Sequence, residues 1–240
     1  MIRFKQFISE SINDKGIFKA IFFAGSPGAG KSVIQSKVSS GSIEPRVVNT
    51  DKPYEFLVHS YGGSFSGDTR NFVDRSIQLT RAQLFQYING VLPLFIDGTS
   101  SDPGRTIQRA KILKSLGYDV GMIFVHTDLD TALSRAAKRE RIVDPEFLKT
   151  AHARVQQNRD MFQNYFSTFY EFDNSSSAID DAALMRLYRK TTGFFTAPIQ
   201  NTIGEELQST MIETGEQYLA PGIMSKEELN FKLTNWYRQR

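Results

Sequence analysis

The octapeptide Gly25-Ser26-Pro27-Gly28-Ala29-Gly30-Lys31-Ser32 leaves this chain few folds to choose from. It fits Gly-x-x-x-x-Gly-Lys-Ser/Thr, the pattern of a phosphate-binding loop. Glycines let successive N–H groups curl inward toward phosphate oxygens. A helix that follows such a loop presents its N-terminus, which favours anions. Lys31 then brings a cation to the β- and γ-phosphates of ATP, and the Ser32 hydroxyl is a ligand for Mg²⁺. The same letters also describe a Gly/Pro turn between two core elements, so the flanks decide. Ile17–Ala24 is mostly apolar, as a buried parallel strand is. Val33, Ile34, Lys37 and Val38 follow at the spacing of a helix with one apolar face. Strand, loop and helix in that order predict a parallel α/β sheet with a triphosphate at its edge.

Composition narrows the class. A chain of 240 residues with 40% hydrophobic and 23% charged residues has the makeup of a soluble globular protein, one large domain or a domain with an appendage. There is no cysteine, which excludes disulfides and thiolate chemistry and suits a reducing, cytoplasmic setting. No apolar run approaches the roughly 18 residues of a membrane span, and the first residues lack the apolar core of a secretory signal. The net charge of +3 is a weak excess, to which Lys232, Arg238 and Arg240 contribute. It does not by itself indicate nucleic acid as a partner.

Along the chain, Arg46–Thr50 reads as a second strand with Asp51 at its end. In open parallel sheets, ligands bind beyond the carboxyl ends of the strands. A carboxylate there can take the proton of a substrate hydroxyl, or it can cap the turn before Lys52-Pro53. Tyr54 to Thr69 is rich in Gly, Ser and Tyr and is expected to be a loop, either a substrate lid or plain surface. A helix is expected from Arg70 to Asn89. Val91–Asp97 is a third strand that ends in an acid, the shape of the strand that supports Mg²⁺ beside a phosphate loop. Asp97 can alternatively be a buried acid bonded to Ser32 or to turn amides. After a helix from Pro103 to Leu116, Asp119–His126 is a fourth strand.

The next helix, Leu129 to about Glu140, carries Arg135, Lys138 and Arg139, with Arg141 just beyond. Arg135 and Arg139 are one turn apart and share a face. They read either as a cationic lid over the phosphates or as a solvated helix end. One long helix, Pro145 to Phe166, and a fifth strand, Phe169–Asp173, follow. Residues 178–192 read as a helix, Gly193 to Gly204 as an irregular stretch with Pro198, and Glu205 to Tyr218 and Ser225 to Arg240 as two further helices; none carries recognisable chemistry. His59, His126 and His152 have no ligand spacing and read as structural.

With these residues placed, the chain resembles the zeta-toxin-like P-loop kinases, a group near the polynucleotide kinases, over about residues 17 to 175. Phe95-Ile96-Asp97-Gly98-Thr99, Gly117-Tyr118-Asp119-Val120 and Ala132-Leu133-x-Arg135 carry the resemblance, particularly to phage-encoded members. It implies a three-layer P-loop NTPase sandwich with five parallel strands in the order 2-3-1-4-5. It implies ATP and Mg²⁺, Asp51 as general base, and Lys31, Arg135, Arg139 and Arg141 as phosphate contacts. It places Asp97 and Thr99 at the acceptor or in the metal shell, with Gly25 to Ser32 holding the nucleotide. Two departures bear on the acceptor. The family's Glu-Gly-Thr is Asp97-Gly98-Thr99 here, and Ser101 stands where an arginine often helps to bind a nucleotide sugar.

Residues 1–10, ending Ile8-Ser9-Glu10, separately resemble the cleaved capsid-targeting peptides of large T-even-type phages. That resemblance implies a protein of the host cytoplasm or of the virion. The expected organisation is a kinase domain over 1–177, with 1–16 as an N-terminal helical segment, and a helical extension over 178–240. The expected activity is γ-phosphoryl transfer from ATP to a hydroxyl of a small-molecule or nucleotide-type acceptor. A 5′-hydroxyl polynucleotide kinase and a non-catalytic nucleotide-binding interaction protein are the competing readings.

Overall fold

The computed structural model describes residues 16–39, 43–61, 70–138, 144–176 and 178–214. The capsid-targeting reading of residues 1–10, the remainder of the expected loop at 62–69, Arg139, Arg141 and the C-terminal stretch 215–240 lie outside these residues. Five strands form the sheet: β1 (Lys19–Ala24), β2 (Arg46–Val48), β3 (Leu94–Asp97), β4 (Asp119–His126) and β5 (Thr168–Asp173). Their order is 2-3-1-4-5 and every pairing is parallel, which is the sheet of a P-loop kinase. Nine helices are present among the described residues. They are α1 (Lys31–Val38), α2 (Asp51–Ser60), α3 (Arg70–Asn89), α4 (Pro103–Ser115), α5 (Leu129–Ala137), α6 (Pro145–Gln157), α7 (Arg159–Tyr165), α8 (Asp181–Thr196) and α9 (Thr202–Thr214).

The layers follow from the two-residue period of a strand. In β1, Ala20, Phe22 and Ala24 join one core, while Ile21 and Phe23 join the other. The first core is closed by Leu84 and Ile88 of α3, Leu113 of α4, Val155 of α6 and Phe162 of α7. The second is closed by Ile34 and Val38 of α1 and by Leu187 and Phe195 of α8. A parallel sheet buried on both faces needs apolar residues at consecutive positions, and β1 has them apart from Lys19. The expected domain division at 177 thus falls just before a helix that covers one face of the sheet.

Several local expectations are corrected. Tyr54 to Ser60 is not loop but most of α2, because Tyr54, Leu57 and Val58 lie at helical spacing and are buried. Pro53 is tolerated because it sits in the first turn of α2, where its missing N–H has no intrahelical acceptor. The long helix expected over 145–166 is two helices that meet at Asn158. The Asn158 side chain reaches away to the carbonyls of Ser100 (3.3 Å) and Ser101 (3.1 Å) and ties the break to the loop after β3. Gly193, expected to be irregular, lies within α8.

The extension is stitched to the sheet at the end opposite the phosphate loop. Lys19, only 2% exposed, donates to Asp119 Oδ2 at 2.6 Å and to the Pro198 carbonyl at 2.8 Å. Asn201 donates to the carbonyls of Lys114 (2.8 Å) and Tyr118 (3.2 Å) and accepts from Ile203 N at the start of α9. A cavity of about 540 Å³ opens here, but its amines are engaged. Lys19 is held by Asp119, Lys114 lies 4.6 Å over the Tyr165 ring, and Lys190 lies 5.6 Å over Tyr170.

Candidate active site

Register delivers the site. Phe23 pairs with Asp97 across β1 and β3, so the phosphate loop and the acidic end of β3 leave the sheet side by side. The amide of Gly25 donates to the Thr99 carbonyl at 3.3 Å and fastens one turn to the other. Gly28 and Gly30 have φ values of 85° and 84°, the left-handed region that glycine enters without strain. Space is equally restrictive. A Cβ on Gly28 would lie 2.2 Å from the Ala132 carbonyl of α5, and one on Gly30 would lie 2.4 Å from Asn174 Nδ2. Gly28→Ala is therefore expected to push the loop off α5 and weaken ATP binding roughly tenfold or more, as read by calorimetric titration.

The loop fits a polyphosphate. Lys31 and Ser32 begin α1, so their amides have no intrahelical acceptor and face outward. The Ser26 hydroxyl is buried without a hydrogen-bond partner, an orphan donor in the wall of the cradle. Lys31 Nζ donates to the carbonyls of Gly25 (2.8 Å) and Ser26 (3.1 Å), which holds its ammonium across the mouth of the loop.

Two acids meet at the carboxyl ends of β2 and β3. Asp51 is the first residue of α2, one place past the cap position that the alternative reading required. Asn49 brackets both acids: its Nδ2 donates to Asp97 Oδ2 at 2.5 Å and its Oδ1 accepts the Asp51 amide at 2.5 Å. Burial pushes the Asp97 carboxyl above its ordinary value of 3.8, against the pull of the Lys31 cation. The neighbouring Asp51 charge raises it further, while the Asn49 and Gln35 amides lower it. Lys31, Asp51 and Asp97 therefore share one electrostatic neighbourhood. Asp97 Oδ1 and the buried Gln35 amide nitrogen make no hydrogen bond of ordinary geometry, although Gln35 stands close enough to lower the Asp97 carboxyl.

That environment has a measurable sign. A carboxyl raised by folding holds its proton more tightly in the native state. Its stabilising contribution is complete below about pH 4 and is lost as pH rises through the folded value. With divalent cations chelated, Asp97→Asn is expected to unfold at a higher temperature than the wild type near neutral pH. The gap should close as pH approaches about 4, and calorimetric scans across pH check it.

Beside the acids lies a cavity of about 200 Å³ lined by Thr50, Asp97, Thr99, Ser101, Arg105 and Arg109, among others. The loop that shapes it is firm. Ser100 sits at φ 56°, its hydroxyl donates to the Phe23 carbonyl, and Asn158 holds its own carbonyl from across the sheet. Thr99 and Ser101 are hydroxyl neighbours at 3.2 Å. Arg105 and Arg109, one turn apart on α4, bring two cations to the same space in which Ser101 replaces the expected arginine. The Arg105 guanidinium is 3.6 Å from Asp102, and its Nε is buried without a hydrogen-bond partner. Sequence reasoning passed over this pair, although the i, i+4 spacing just after Asp97-Gly98-Thr99 marks it.

Arg135 faces the loop from α5. It donates to the carbonyls of Asn174 and Ser176, each at 2.7 Å, and so is anchored to the segment after β5. Its Nη1, the donor to Asn174, lies 4.0 Å from where a Cβ on Gly30 would stand. Arg139 and Arg141, expected in the same lid, lie outside the described residues. His126 bonds to Gln156 at 3.1 Å and His152 to the Thr127 carbonyl at 2.8 Å, as structural histidines do.

The comparisons with known proteins agree with this geometry. No curated protein matches the chain. A candidate kinase from Chloroflexus aurantiacus j-10-fl is similar in structure, with a TM-score of 0.53 and 15% identity, over 72% of this chain and 97% of that one. The PezAT chromosomal toxin–antitoxin system of Streptococcus pneumoniae follows at a TM-score of 0.47 and 15% identity, over 88% and 94%. A gluconokinase from Sinorhizobium meliloti 1021 has a TM-score of 0.43 and 13% identity, over 83% and 99%. At 15% identity the likeness to the first of these is one of fold alone. The family model of the zeta toxins matches residues 9–193, which is most of the chain and all of the site. This chain belongs to the zeta toxin family and is a P-loop phosphotransferase.

Proposed function

We propose that the protein transfers the γ-phosphoryl group of ATP to a hydroxyl of a small anionic acceptor. The supporting observation is the convergence of Lys31, Asp51 and Asp97 beside a cavity that also receives Arg105 and Arg109. The acceptor hydroxyl bonds to the γ-phosphorus as the bond to the leaving ADP breaks, and its proton passes to Asp51. Lys31 and Arg135 neutralise charge on the phosphoryl oxygens, with Arg139 and Arg141 as further cations of that role. Thr99 and Asp97 orient the acceptor. The two arginines of α4 favour an acceptor that carries its own phosphate or carboxylate.

The Asp97 and Ser32 oxygens fit Mg²⁺. Asp97 Oδ1 is a buried acceptor that makes no hydrogen bond of ordinary geometry, and Ser32 begins the helix after the loop. Among the described residues no cluster of three or more acids or histidines could hold a metal alone. Mg²⁺ commonly completes its shell with waters and substrate phosphates, and here it would neutralise charge on the triphosphate. The deciding experiment incubates the protein with γ-labelled ATP and a panel of nucleotide sugars, phosphorylated sugars, nucleosides and 5′-hydroxyl oligonucleotides. Label on an anionic small molecule is expected. Label on the oligonucleotide alone would replace this reading with polynucleotide kinase activity, and ATP binding without turnover would replace it with a non-catalytic role.

A further inference from the structure

We infer that Asn174 is a positioning residue of the phosphate loop, holding the loop from the carboxyl end of the edge strand β5. This rests on the nucleotide reading of the loop and assigns a residue outside the motif. Asn174 follows β5 and is 5% exposed. Its Nδ2 donates to the Ala29 carbonyl at 2.8 Å, across 145 residues of chain. The acceptor is a carbonyl, so the amide nitrogen must face it and the flip is settled by chemistry. The contact leaves room for nothing else, since a Cβ on Gly30 would meet that nitrogen at 2.4 Å.

The backbone of Asn174 is engaged separately. Its amide donates to the His126 carbonyl at 2.9 Å, and its carbonyl accepts from Thr127 Oγ1 at 2.9 Å and Arg135 Nη1 at 2.7 Å. One residue thus joins the loop that holds the phosphates to the arginine that faces them. A change of side chain would remove the grip on Ala29 and leave the tether on Arg135.

The other half of the amide is not held by any group of the protein. Asn174 Oδ1 is buried without a hydrogen-bond partner. A buried acceptor without a protein partner offsets what the hydrogen bond at the other end contributes. An amide with one satisfied end and one orphaned end contributes little net stability. What it does supply is direction: with the Ala29 carbonyl turned toward Asn174, the loop amides are left facing the anion.

The test uses the full chain with two replacements, Asn174→Leu and Asn174→Ala. Leucine keeps the volume and removes the donor without adding charge. ATP binding with Mg²⁺ present is measured by calorimetric titration, and unfolding is followed by thermal scans. The expected result is an affinity for ATP roughly tenfold weaker in both variants, with the unfolding temperature of the leucine variant within a few degrees of wild type. A leucine variant that binds ATP as wild type does overturns the proposal, because volume alone would then suffice. So does a loss of affinity that merely tracks a large fall in unfolding temperature. If the leucine variant does not fold, the alanine variant decides by the same comparison. Failure of the wild type itself to bind ATP would instead sink the nucleotide reading of the loop.

Discussion

Lys31→Ala is expected to abolish phosphoryl transfer, with a loss of roughly 10²–10³-fold or more in turnover. Two effects combine. In the proposed reaction the ammonium neutralises charge on the phosphoryl oxygens as the bond to the leaving ADP opens. It also bridges the carbonyls of Gly25 and Ser26 at 2.8 and 3.1 Å, so removing it frees two acceptors at the mouth of the loop. Their carbonyl dipoles would then face the triphosphate without a counter-charge. ATP affinity should fall together with turnover, which separates this variant from one that affects chemistry alone. Arginine should not rescue it, because a planar fork cannot occupy the space of a compact ammonium. Titration with ATP and a label-transfer assay together check the outcome. Transfer at the wild-type rate in the alanine variant would remove Lys31 from the mechanism.

Asp51→Asn is expected to lower turnover by roughly 10²–10⁴-fold while ATP affinity stays within a few-fold of wild type. The side chain is exposed at the start of α2 and within electrostatic reach of Asp97. Asparagine keeps the shape and cannot take a proton. The Asp51 amide keeps its bond to Asn49 Oδ1, so the helix start should survive the change. A drop in turnover at constant ATP affinity assigns a role in the chemical step. Wild-type turnover in this variant would transfer the base role elsewhere, with Asp97 the nearest candidate.

The centre of the sheet was legible in the chain because β1, β3 and β4 are apolar runs that end at polar turns. β4 begins and ends at the expected residues, Asp119 and His126. Helix α2 was hidden by the Gly- and Ser-rich residues 62–69 that follow it and by Pro53, which reads as a breaker unless it is known to lie in a first turn. The break at Asn158 could not be read locally, since its cause is a bond to a loop 57 and 58 residues away. Within the site, Lys31, Asp51 and Asp97 announce themselves by motif and by strand position. Asn49 and Asn174 do not, because a single asparagine beside a turn looks like any other turn residue until its distant partner is placed. Lys19 was passed over inside an apolar run for the same reason: only Asp119 and the Pro198 carbonyl explain a lysine there.

The placement of α8 has a practical consequence for anyone trimming the gene. A product that stops after the fifth strand keeps every residue named in the chemistry, yet it strips Leu187 and Phe195 from Ile21, Phe23 and Phe95. It also takes away the Pro198 carbonyl that shares the Lys19 ammonium with Asp119. The exposed face would be greasy and broad, of the kind that drives molecules to clump. Such a shortened version should be recovered from inclusion bodies, whereas the full chain should remain in the supernatant.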